Sequence, residues 1–118
     1  MGANSGCVAV VSAAMLAAAA ILASSAEASA QGSIAIEIAV KNHRFQPTQA
    51  HAPANRPLTI SVKNLDATAM EFESVSMRVE KVVPAGGQGT VHVRPLAPGQ
   101  YEFFDDLHSA TTGTLVVQ

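Results

Sequence analysis

Tryptophan is absent from the 118-residue chain, aromatic residues make up 4% of it, and one cysteine, Cys7, is all the thiol there is. A single cysteine rules out a disulfide-stapled scaffold and a cysteine-based zinc site, and a Cys-nucleophile enzyme is disfavoured with it. Basic charge is also scarce. Seven Lys and Arg stand against nine Asp and Glu, a formal charge of -2, which excludes a basic nucleic-acid reader and a polybasic membrane binder. No Ser-His-Asp order, phosphate loop or dinucleotide fingerprint is present, and Gly86-Gly87-Gln88-Gly89 reads as a hairpin connection rather than a phosphate cradle.

What is present begins with a charge-free, alanine-rich run from Cys7 to Ala23, followed by small and polar residues ending in Ala28-Ser29-Ala30. That flank predicts a signal peptide over residues 1–30, cleaved after Ala30, although only the α-amino group supplies the usual positive charge before the run. The mature chain, residues 31–118, would then be exported, periplasmic, free of cysteine and without a membrane span.

In that part, large apolar residues alternate with small or charged ones over Ile34–Lys41 and Leu58–Lys63, the period of two that half-buried strands show. Met70–Val75, Met77–Val83, Thr90–Val93, Tyr101–Phe103 and Thr114–Val117 supply further short strands, with Pro84–Gly87, Pro95–Gly99 and Ser109–Gly113 as the turns between them. About seven strands without a sustained helical period predict an all-β, antiparallel Greek-key sandwich. Tyr101 follows Pro98-Gly99-Gln100, where a tyrosine hydroxyl bonds back to loop backbone in such sandwiches.

Two clusters carry chemistry. Asp105 and His108 lie three apart at the end of a strand. If Tyr101 and Phe103 face the core, so does Asp105, and a buried carboxylate has to be paired, protonated or bound to a metal. The bland alternative is that Asp105 or Asp106 caps the turn through backbone amides while His108 sits in solvent. The second cluster is Met70-Glu71-Phe72-Glu73. With Phe72 inward, Met70 is inward too, while Glu71 and Glu73 project together from the other face about 7 Å apart. Those two carboxylates, with Glu80 and Asp106, suit a hard cation or a basic partner, or simply a solvated face. His51 and His92 read as solvated, and so does His43, although its place near Phe45 makes it the one to test first.

The order of Phe45-Gln46-Pro47, Val62-Lys63-Asn64-Leu65-Asp66, Glu71-Phe72-Glu73-Ser74, Glu80-Lys81-Val82-Val83-Pro84, Leu96-Ala97-Pro98-Gly99-Gln100-Tyr101 and the Phe103–Gly113 segment resembles a cupredoxin. More narrowly it resembles the periplasmic cupredoxin-like proteins of bacterial ferrous-iron uptake systems, including the EfeO-type domain, that accompany a permease of the Ftr/Efe kind. The resemblance implies a copper or iron ion, help in oxidising Fe(II), and an iron permease or periplasmic iron-binding protein as partner. It also implies a departure in ligands. Asp105 stands at the cysteine position, His108 at the second histidine, Thr111 or Thr112 where methionine falls, and Met70 at the first histidine, so no blue thiolate-to-copper site is expected. The metal set implied is Met70, Glu71, Glu73, Glu80, Asp105, Asp106 and His108. Two alternatives stay open: a metal-free interaction module docking through its acidic face, and a copper carrier working through Met70 and His108.

Overall fold

The computed structural model describes Gly2 and residues 32–118. The predicted signal peptide lies outside these residues, and among them no helix is long and apolar enough to cross a membrane.

Nine strands are formed: β1 (Ile34–Lys41), β2 (Arg44–Gln46), β3 (Gln49–Ala52), β4 (Leu58–Asn64), β5 (Met70–Ser74), β6 (Val79–Val83), β7 (Gln88–Val93), β8 (Gly99–Asp105) and β9 (His108–Val117). They make a four-stranded sheet in the order β2-β1-β4-β7 and a five-stranded sheet in the order β3-β9-β8-β5-β6. The all-β sandwich is therefore as expected. Its pairing is not purely antiparallel, because β1 runs parallel to β4 and β3 parallel to β9. The two additional strands, β2 and β3, are three and four residues long, too short to leave a periodic signal. Ser109–Gly113 is not a loop either. Its small and hydroxylated residues read as a turn, yet they form the first half of β9, where Thr112 pairs with Phe104 and Gly113 with Phe103.

Alternation does the packing. In β5 the pattern of buried and half-buried residues places Met70, Phe72 and Ser74 inside and Glu71 and Glu73 outside. Phe72 and Phe103 are fully buried, and with Phe45 they form an aromatic group with ring centroids 4.9 to 6.2 Å apart, Phe45 standing edge-on to both others. Such offset and T-shaped pairs add about 0.5–1.5 kcal/mol each beyond the area they bury. Gly113 faces Phe103 so closely that a Cβ there would lie 2.4 Å from the ring. The Tyr101 hydroxyl donates to the Ala97 carbonyl at 2.8 Å, as its position after the Pro98-Gly99 turn predicts.

At one end of the sandwich Asn64, fully buried at the close of β4, fixes three segments. Its amide nitrogen donates to the carbonyls of Thr68, Val83 and Pro84, and its oxygen accepts from the Asp66 backbone N–H. The loop that carries Asp66 thereby becomes a rigid shelf beside the start of β5 and the end of β8.

Candidate metal centre

Asp105 ends β8 with no exposed surface. Its Oδ1 accepts two backbone N–H groups, from Glu71 on the neighbouring strand and from Leu107 in the turn, each at 3.0 Å. Its Oδ2 lies 2.9 Å from His108 Nδ1. One oxygen thus anchors the carboxylate and caps the β8–β9 turn, while the other is directed at a half-exposed imidazole. The turn-capping reading and the imidazole-pairing reading are both realised, one on each oxygen.

The acidic residues gather outside this pair. Glu71, Glu73 and Asp106 place one carboxylate oxygen each within 4.8 Å of one another, and the Asp106 backbone N–H donates to the Glu71 carbonyl at 2.9 Å. Glu80 stands directly across from Glu73 in the β5–β6 register. Partial burial pushes the Glu71 and Glu73 carboxyls above their ordinary range, and the negative charges of Asp106 and Glu80 push them further. A folded-state value raised above the unfolded one means the folded chain holds these protons more tightly. Stability is therefore greatest below the ordinary glutamate value of 4.5 and falls as pH rises through the window up to the raised values. The double variant Glu71→Gln, Glu73→Gln is expected to melt at a higher temperature than the wild type at pH 7 and to lose that advantage below about pH 4. Calorimetric melting across this range checks it, and a difference independent of pH would sink the like-charge account.

Met70 is 1% exposed and belongs to the hydrophobic core with Phe72 and Val83. The structure brings its strand beside Asp105, since Phe72 and Asp105 are partners across β5 and β8, and its side chain is part of the packing.

Two residues of this rim come from outside both clusters: Asn42, and His43, which read as solvated and as the histidine to test first. Asn42 and His43 form a two-residue turn between Lys41 and Arg44, both at positive φ of 53° and 56°, the mirror-image turn that suits strand twist. The His43 ring comes to rest against that of His108, with centroids 4.3 Å apart and planes tilted by 37°. Asp66 Oδ1 accepts the Asn42 N–H at 2.5 Å and its Oδ2 the His43 N–H at 2.9 Å. Those bonds hold the Asp66 carboxyl below its ordinary value against the opposing effect of burial, His43's backbone contributing most. The Asn42 turn signal was readable in the sequence; the 65-residue separation of His43 and His108 hid their contact. Thr111, one of the two candidates for the axial position, is buried and donates its hydroxyl to the His43 carbonyl at 2.7 Å. His51 and His92 are exposed, as read. A hollow of about 460 Å³ opens beside His43, lined also by Arg44, Thr48 and Thr111.

A rim of this composition can take up a cation. It offers carboxylate and imidazole donors in short contact, held by backbone hydrogen bonds, and no cysteine lies among the described residues. The family model for the cupredoxin-like domain matches residues 12–117. The chain belongs to the cupredoxin-like family. An uncharacterized protein of Rickettsia prowazekii is 32% identical to this cupredoxin-like chain over 82 residues, which are 70% of this chain and 66% of that protein. Among solved structures, the fold is similar to auracyanin of Roseiflexus castenholzii, with a TM-score of 0.62 at 18% identity over 74% of this chain and 99% of that one. It is similar also to the Cu(I)-bound metal-binding domain of the Cu(I)-exporting ATPase CopA of Streptococcus pneumoniae, with a TM-score of 0.62 at 14% identity over 71% and 84% of the two chains. A purple cupredoxin of Nitrosopumilus maritimus gives 0.55 at 16% identity over 72% and 99%.

Proposed function

We propose that this cupredoxin-like protein is an exported metal-handling component of a high-affinity iron uptake system, holding copper or iron and assisting the oxidation and delivery of Fe(II). The reading rests on one observation, the 2.9 Å approach of Asp105 Oδ2 to His108 Nδ1. Two donors at right angles, each about 2.0–2.1 Å from a small divalent ion, stand about 2.9 Å apart, so once the ring proton is lost the pair has the separation of neighbouring ligands on one ion, which would sit to one side of the line between them. A carboxylate–imidazole set fits Cu(II) or iron; with aspartate where a blue site has thiolate, it does not fit a blue copper centre. A copper or iron ion held by these residues would supply a one-electron couple.

The chain's own residues do the rest. Glu71 and Leu107 fix Asp105 through their backbone N–H groups, and Asp105 in turn orients His108. Glu71, Glu73 and Asp106, with Glu80 beside them, give incoming Fe(II) a carboxylate face whose mutual repulsion a cation relieves. Oxygen donors favour the harder Fe(III), and the partners implied are an electron acceptor and an iron permease or periplasmic iron-binding protein. Titration calorimetry with Cu(II) and with iron, together with iron uptake by cells carrying His108→Ala, tests the reading. Binding lost in the variant together with uptake supports it. A wild-type protein that binds neither metal, with uptake intact in His108→Ala, overturns it.

A further inference from the structure

Each of the two imidazoles on this rim faces a carboxylate of its own. His108 Nδ1 meets Asp105, and His43 Nδ1 faces Asp66 Oδ2 at 3.7 Å. The arrangement around His43 is over-determined. A non-glycine residue at φ 56° is held in the left-handed region by Asp66 at its N–H and by Thr111 at its carbonyl, while its side chain remains 52% exposed. Glycine after Asn42 would make the same turn with less strain, and a half-exposed ring contributes little to the core. What the histidine adds is its ring, stacked on that of His108. Strained residues persist where their surroundings hold them and cluster at ligand sites. A carboxylate behind a ligating histidine is the recurring way its tautomer and orientation are set.

We infer that His43 is a second imidazole ligand of the metal centre, with Asp66 and Thr111 as the positioning residues that hold it beside His108. The inference rests on the reading that Asp105 and His108 bind an ion. It adds a residue from a different hairpin and the other sheet, so that the centre spans the sandwich instead of lying on one turn. The donor set becomes two imidazoles and a carboxylate, which favours Cu(II) over the hard cations that an all-carboxylate site would take.

The variant that tests it is His43→Gly, because glycine suits the positive φ and the turn is retained. The full chain is titrated with Cu(II), followed by calorimetry and by the nitrogen couplings in its electron paramagnetic resonance spectrum. The wild type is expected to show two coupled nitrogens. His43→Gly is expected to show one, with the Kd for Cu(II) raised at least about tenfold and the apo melting temperature unchanged or higher. In Asp66→Asn the second coupling should weaken, and an unaltered coupling there would remove Asp66 from its positioning role. Two nitrogens and an unchanged Kd in His43→Gly overturn the inference while leaving Asp105 and His108 in place, as does a wild-type spectrum with one nitrogen. A wild type that binds no Cu(II) overturns the parent reading and this one together.

Discussion

Asp105→Ala is expected to lose about 2–4 kcal/mol of stability, since it leaves the part-buried N–H groups of Glu71 and Leu107 without their acceptor, at roughly 1 kcal/mol or more each, and opens a small cavity beneath them. Asp105→Asn behaves differently. The amide oxygen still accepts both backbone bonds, so the fold should survive with most of its stability. Its NH₂ group, however, replaces the oxygen that faces His108, and donation to Nδ1 fixes the ring proton on Nε2. Neither ring nitrogen then offers a lone pair, the carboxylate charge is gone, and metal affinity should fall by at least about tenfold. Urea denaturation and metal titration of the two variants side by side read the two functions of one residue separately. Equal stability of the alanine and asparagine variants would refute the anchoring role assigned to Oδ1.

Gly113→Ala is the second large effect. The added Cβ would sit 2.4 and 2.5 Å from two carbons of the Phe103 ring and 3.0 Å from the Thr48 carbonyl oxygen. Phe103 has nowhere to turn, being fully buried and packed between Phe45 and Phe72. Overpacking of this kind costs about 3 kcal/mol, roughly a 12–24 °C fall in melting temperature for a domain of this size. Shortening the ring should give part of it back. The pair Phe103→Leu with Gly113→Ala is expected to be more stable than the sum of the single effects predicts, and strict additivity would show that the clash is relieved elsewhere.

The parts of this molecule that obey a period of two were legible before any coordinates. Phe72 inward and Glu71 and Glu73 outward follow from alternation alone, and the Tyr101 hydroxyl bond follows from its place after a Pro-Gly turn. The burial of Asp105 followed in the same way from Phe103. What failed to show was whatever depends on distant segments meeting. Thr112 and Gly113 have the composition of a loop and become strand because Phe104 and Phe103 pair with them. Parallel pairing of β1 with β4 leaves no local mark, and neither does the stacking of His43 on His108. Aspartate is a common turn residue, and Asp66 serves as one. That it also fixes the β1–β2 turn through two backbone amides depends on a contact that only folding makes.

The position of β9 between β3 and β8 has a consequence for biosynthesis. β9 is the strand that joins β3 to β8, so until residues 108–117 are made the five-stranded sheet stays in two pieces and Phe103 lacks the strand that pairs with it. Until then the apolar surface around Phe103 stays open, the kind of surface that chaperones and proteases recognise.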